Sequence, residues 1–395
     1  MPADCAISFV VTSRNDNHGK NMIRRFRLFA ESLLQQASRH SLSGELIVVE
    51  WNPPPGPRLS ELLDLKIPSD TFAVRFIEVP REAHCAIRNS DVIPLFQMIA
   101  KNVGIRRAKG DFIVATNPDL LFSDALVSFF ASGRLRHDVM YRIDRHDVPA
   151  DPPENASIDD LVKIWCVANV LRVHKRWGSF PPISRWKVMV RHLSAISATG
   201  IVSPTPNPGP TGHATLRRFG ASARLWWRLS YWALYLIHKI LRTGAKYLDP
   251  LPKIHTNGCG DFTMLSRKAW FELQGYPELP LWSMHLDSLL CYMAVASGIR
   301  EQVLEAPKRM FHLEHENSWV VMSADDRLRT FANKPWLDFD LLTQIWRNMY
   351  YRGQAVKFND ENWGLADWSL DEILITRAEK ELIKSRVSSL AARGS

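Results

Sequence analysis

The sequence predicts an α/β protein with a mostly parallel central sheet and flanking helices. Apolar strand-like runs at 6–12, 45–49 and 71–79 alternate with a helical segment at 20–39, in which Met22, Phe26, Phe29 and Leu33 form one stripe. A charge-free run at 112–116 follows a stop at Gly110, as expected of a strand covered on both faces. The composition, 46% hydrophobic and 23% charged over 395 residues, is that of a globular chain. Strand–helix–strand order implies parallel neighbours joined by right-handed crossovers. A basic helical insertion and a helical C-terminal cap complete the expected architecture, divided as 1–150, 151–250, 251–325 and 326–395.

The first strand runs into the polar loop Ser13-Arg14-Asn15-Asp16, and helix 20–39 returns the chain to the second strand. That strand ends in Glu50-Trp51-Asn52 and is stopped by prolines 53–55, which lack the N–H a ladder needs. No GxGxxG follows either strand, which argues against a Rossmann dinucleotide site. Leu95, Ile99 and Val103 lie at helical spacing on a basic helix that carries Lys101. The strand after it delivers Asn117 and Asp119 just past its end, where open α/β sheets bind ligands. Asp119 is the one charge there and the natural ligand of a hard cation, although Asn-Pro-Asp is also a good turn sequence. Ser123-Asp124 can cap a helix through Phe130, and 139–143 is a further strand. Asp144-Arg145-His146-Asp147 after it reads as a site wall or as an exposed loop.

Charge is unevenly placed. Residues 161–248 hold fourteen Lys and Arg and no Asp or Glu, so the rest of the chain is acidic although the whole carries +9. Two helical candidates there flank a proline-rich loop at 200–212, and the second, 216–248, interleaves Trp226, Trp227 and Trp232 with basic residues. No charge-free run reaches bilayer-spanning length. The pattern suits a helix lying on an anionic membrane surface, with core packing of the tryptophans as the competing reading. The same charges would suit nucleic acid, but no nucleic-acid module accompanies them. Five scattered cysteines without CxxC argue for a reducing compartment with neither a disulfide framework nor a zinc site. The first residues lack a basic-then-apolar leader, so no signal peptide is evident, and together with the basic segment the expectation is a cytoplasmic protein on the inner face of the membrane.

Read together, Asn102-x-Gly104-x3-Ala108-x-Gly110-x6-Asn117-x-Asp119 resembles the segment leading into the Asp-x-Asp motif of GT-A glycosyltransferases, especially family 2, with Asn117 in place of the first aspartate. The resemblance implies the GT-A form of the α/β sheet and transfer of a sugar from a nucleoside diphosphate sugar to a hydroxyl acceptor, a cell-envelope or lipid-linked glycan. It implies a divalent cation, Mn2+ or Mg2+, and nucleotide binding by Thr12, Arg14, Glu50, Lys101, Asn117 and Asp119. Glu50 has a competing reading as a solvated loop carboxylate.

Segment 255–278 again resembles these enzymes: Gly258 and Gly260 allow close approach, Asp261 meets sugar hydroxyls, and a Gly-Tyr-Pro-Glu turn follows. By the same resemblance Asp287 is the base that deprotonates the acceptor, with an N-cap as its alternative; a direct displacement would invert the anomeric centre, with retention the alternative because retaining GT-A enzymes have the same sheet. A histidine of Phe311-His312-Leu313-Glu314-His315 completes the metal site in such enzymes. His312 and His315 fall on opposite faces of an extended chain, so one ligand is expected from the pair. Ser369-x-x-Glu372 fits a capping box for a last helix. The rival to an active transferase is a catalytically weak, membrane-associated glycan-binding or scaffold protein, suggested by Asn117.

Overall fold

Residues Ile7–Ser13 (β1) are buried along their whole length, although Ser8, Thr12 and Ser13 carry hydroxyls. The Ser8 hydroxyl is satisfied between neighbouring strands, donating to Glu45 at 2.7 Å and accepting from the Gly110 N–H at 2.9 Å. The computed structural model describes residues 6–181, 251–315, 329 and 332–378. The further strands are β2 (Gly44–Trp51), β3 (Phe72–Val79), β4 (Phe112–Thr116), β5 (Leu120–Phe122), β6 (Val139–Ile143) and β7 (Arg145–Val148). They continue with β8 (Arg172–Lys175), β9 (Gly178–Phe180), β10 (Phe262–Ser266), β11 (Arg300–Leu304), β12 (Met310–Leu313) and β13 (Glu372–Ile375).

Eight of these form one sheet in the order β11-β6-β10-β4-β1-β2-β3-β13. The block β4-β1-β2-β3 is parallel, as the alternation of strands and helices predicts. β10 enters antiparallel between β4 and β6, and β13 closes the far edge antiparallel to β3. A second sheet, β5-β12-β7-β8-β9, is built from the loop ends of the first.

Helix α1 (Met22–Arg39) buries Met22, Phe26, Phe29 and Leu33, the stripe read from the sequence. Phe9, Phe72, Phe122, Phe130 and Phe262 belong to the same core. α2 (Leu59–Leu63) is one turn, and α3 (Gln97–Arg107) covers the other face of β1 and β2. A Cβ on Gly104 would lie 2.5 Å from Val10 Cγ1, so glycine lets α3 approach the sheet. α4 (Asp124–Phe130) is capped by Ser123, whose side chain accepts from the Leu126 N–H. α5 (Arg267–Leu273), α6 (Leu286–Ala296) and α7 (Phe339–Arg352) follow.

One expectation is corrected. Ser369-x-x-Glu372 does not open a helix. Glu372 begins β13, and its carboxylate lies 2.7 Å from Arg75, a buried guanidinium that also binds the fully buried Glu45 at 3.0 Å. An edge strand that satisfies a buried cation outweighs a local capping signal. The acid-free segment begins helically, at Leu161–Trp165 and Cys166–Ala168, and continues as the hairpin of β8 and β9 on β7. Its Lys163, Arg172, Lys175 and Arg176 face Asp159, Asp147, Asp144 and Glu301. The helical candidate at 216–248 and the loop at 200–212 lie outside the described residues. Among the described residues, no helix is long and apolar enough to cross a membrane.

Candidate active site

β1, β2 and β4 are parallel, so Thr12, Arg14, Glu50, Asn117 and Asp119 are delivered to one edge of the central sheet. β12 reaches that edge from the second sheet, where His312 is in register with Leu120 of β5 and Asp147 of β7. The Leu313 N–H donates to the Asp119 carbonyl at 3.0 Å, and the Glu314 N–H to the Val148 carbonyl at 3.0 Å. His312 Nε2 thereby lies 3.7 Å from Asp119 Oδ2, and His315 Nε2 lies 3.5 Å from the same oxygen. The expectation that one histidine faces away is therefore corrected. β12 ends at Leu313, so strand alternation no longer governs where His315 points.

Asp119, His312 and His315 offer three ligand atoms within 4.8 Å of one another. A cation about 2.0–2.2 Å from each ligand sets neighbouring ligand atoms roughly 3–3.6 Å apart. The two contacts to Asp119 are close to that spacing. Asp119 Oδ1 is buried and has no hydrogen-bond partner among the described residues, a demand that a cation or its water shell would meet. One carboxylate and two imidazoles form a mixed donor set, which fits Mn2+ better than the all-oxygen preference of Mg2+. Burial pushes His315 down to about 4, which leaves it neutral and able to ligate at neutral pH.

A second group, Asp147, His312 and Glu314, is also close enough to hold an ion. There the positive charge is already present. Arg145 and Arg172 lie 3.0 Å from the two oxygens of the fully buried Asp147, and Arg172 is 3.4 Å from Glu314.

Three proposed contact residues are turned inward. Asn117 accepts from Gln97 Nε2 at 3.0 Å and donates to Asp261 Oδ1 at 2.8 Å. Its amide nitrogen must face the carboxylate, and its oxygen accepts from Gln97. Asp261 is also bound by Arg145 at 2.7 Å, so both its oxygens are held by protein donors and not presented to sugar hydroxyls. Burial alone would raise Asp261, but Arg145 and His312 hold it below the usual carboxylate range. Lys101 is fully buried and its ammonium donates to the Gly260 carbonyl, which removes it from contact with a nucleotide. Burial pulls it down to about 8 against the attraction of Asp261 and Asp287.

Asp287 stays partly exposed in the first turn of α6. Its Oδ1 accepts from the Ser288 N–H at 2.8 Å, and a Cβ on Gly260 would lie 2.9 Å from its Oδ2. Glycine thus lets the 258–261 backbone pass directly against this carboxylate. Thr12 is buried with its hydroxyl unpartnered among the described residues, and Arg14 pairs with Asp16 at 3.3 Å. Glu50 is not a solvated loop carboxylate. It is buried, accepts from the Leu59 N–H at 3.0 and 3.2 Å, and is pushed up to about 7 by that burial.

Sequence reasoning missed one contribution and left a second open between a site wall and an exposed loop. Arg25 binds the carbonyls of His18 at 2.7 Å, Gly19 at 3.3 Å and Lys20, and holds the His18 ring 5.4 Å from that of His315. Arg145 and Asp147 form a buried charged layer behind His312. A cavity of about 420 Å³ lined by Leu273, Met293 and Lys357 involves none of the residues proposed for the site.

No family model matches the chain, and no curated protein sequence matches it. Among solved structures, S. aureus TarS 1-349 is similar over 88% of this chain and 71% of that chain, with 12% identity and a TM-score of 0.40. The same fragment in complex with UDP gives 12% identity, the same coverage and a TM-score of 0.41. A likeness at this level carries no argument. The fold and the site rest on strand order and side-chain placement.

Proposed function

We propose that this chain is a GT-A-type glycosyltransferase that moves a sugar from a nucleoside diphosphate sugar to a hydroxyl acceptor, assisted by a divalent cation. The observation that carries the reading is the convergence of Asp119, His312 and His315 at the C-terminal edge of parallel strands. These three residues would hold the cation, with Mn2+ preferred over Mg2+. A bound cation supplies Lewis-acid stabilisation of charge developing on the leaving diphosphate. Thr12, Arg14 and Glu50 bind the nucleotide at the ends of β1 and β2, and Arg14 exchanges its pairing with Asp16 for the diphosphate. Asp287 takes the acceptor proton, while Lys101 and Asp261 hold the loop and strand around it and do not touch substrate. The displacement inverts the anomeric centre.

The donor half is assigned to 1–150, the acceptor half to 251–325 and a cap to 326–395. The basic insertion, 151–250, would hold the protein on the cytoplasmic face of an anionic membrane, near a cell-envelope or lipid-linked glycan acceptor. The rival reading, a catalytically weak glycan-binding or scaffold protein, rests on Asn117. Because Asn117 is an internal hydrogen-bonding residue beside a complete Asp–His–His set, the active transferase is favoured.

The test is a thermal-shift screen of UDP, GDP, CDP and dTDP sugars with and without Mn2+, followed by assay of nucleoside diphosphate release. One donor stabilising the protein only with metal, and then being hydrolysed, supports the reading. Metal-independent indifference to all four contradicts it.

A further inference from the structure

We propose that Asp147 is a positioning residue for His312, fixing the imidazole so that Nε2 faces the cation site and Nδ1 carries the proton. The inference rests on the metal site proposed above. Asp147 is fully buried on β7, in register with His312 on the adjacent parallel strand β12. Its Oδ1 lies 3.3 Å from His312 Nδ1 while His312 Nε2 faces Asp119. Neither Oδ1 of Asp147 nor Nδ1 of His312 has a well-aligned hydrogen-bond partner among the described residues, each other included, so two unmet buried groups lie 3.3 Å apart, within reach of a small turn of the ring. The carboxylate is clamped from behind. His174 Nε2 is 2.6 Å and Arg172 3.0 Å from Oδ2, and Arg145 is 3.0 Å from Oδ1. His174 Nδ1 is in turn 2.7 Å from the Ser179 hydroxyl on β9.

A buried carboxylate is costly unless it is paired, and packing alone would be served by an apolar residue. Two guanidiniums and a second imidazole instead hold an anionic oxygen behind the metal-facing ring. A carboxylate in that place fixes the tautomer of a ligating histidine and raises its basicity. Arg145 also reaches Asp261 at 2.7 Å, so the clamp is continuous with the Asn117 side of the site.

The proposal predicts that long-range 15N–1H correlation spectra of the metal-free protein near pH 9, where the imidazoles are neutral, show His312 protonated on Nδ1. The signal is assigned by its loss in His312→Gln, and an Nε2–H tautomer overturns the proposal. Asp147→Asn should weaken Mn2+ binding, read by the free-Mn2+ electron paramagnetic resonance signal, about 10–100-fold. A folded Asp147→Asn protein with wild-type Mn2+ affinity overturns the proposal and leaves the metal site intact. Wild-type protein that binds no Mn2+ removes the metal site itself, and the proposal with it. If Asp147→Asn does not fold, the tautomer of the wild-type protein decides.

Discussion

His312 turns one ring nitrogen to Asp119 and the other to Asp147, and its neighbour two residues on, His315, reaches the same Asp119 oxygen. Asp119 was legible as a candidate ligand because it is the one charge past a charge-free strand end. Joint use of both histidines was not legible, since it depends on where β12 stops. Asn117 and Asp261 look like substrate contacts in the sequence, yet they bind each other, a pairing across 144 residues that no local pattern encodes. Asp287 remains the proposed base because it is partly exposed with one oxygen beside Gly260. Asp287→Asn should lower turnover at least a hundredfold while leaving donor affinity within about twofold, because a base acts on the acceptor proton. Steady-state kinetics with a verified acceptor checks this, and undiminished turnover would remove Asp287 as the base.

At the scale of elements, the parallel block β4-β1-β2-β3 followed directly from alternating strands and helices. β10, entering antiparallel between β4 and β6, could not be read locally, because its partners lie far away in the chain. β7 was readable either as a site wall or as an exposed charged loop for the same reason: its charges are buried by strands from two other segments. The turn after α5 shows how such distant pieces are joined. Glu278 accepts from Asn102 of α3 at 2.9 Å and from the Gly364 N–H at 2.7 Å, both through Oε1.

Burial pushes Glu278 up to about 7, against the opposing hydrogen bonds from Asn102 and Gly364. The folded state therefore holds the proton more tightly than the unfolded chain, and this contribution is complete below the ordinary glutamate value. It is lost as pH rises through about 7. Glutamine keeps the accepting oxygen without the charge. Glu278→Gln should match the wild type near pH 4 and exceed its stability by up to about 3 kcal/mol at pH 8. Urea unfolding of both proteins at the two pH values measures the difference. A gap that does not widen with pH would contradict this account of Glu278.

Across the whole molecule, the basic segment was the plainest feature of the sequence. The structure narrows it: Lys163, Arg172, Lys175 and Arg176 face carboxylates of the folded chain. The proposed lipid binding would then rest on residues such as Arg217, Arg218, Arg224 and Arg228, each contributing about 1 kcal/mol near an anionic surface. The protein should sediment with phosphatidylserine vesicles at low salt and be released at high salt. Replacing those four arginines with Gln should weaken sedimentation while sparing donor hydrolysis. Wild-type protein that ignores the vesicles at low salt would refer the tryptophans to core packing.

The central claim is that Asp119, with His312 and His315, makes donor binding depend on a divalent cation. Calorimetric titration of the donor found by the thermal-shift screen tests it most directly, with and without Mn2+, in wild-type protein and in Asp119→Ala. Binding that is tight with Mn2+ and at least tenfold weaker without it, or in Asp119→Ala with Mn2+ present, is the predicted result. Equal donor affinity under all these conditions, with Asp119→Ala folded, would contradict it.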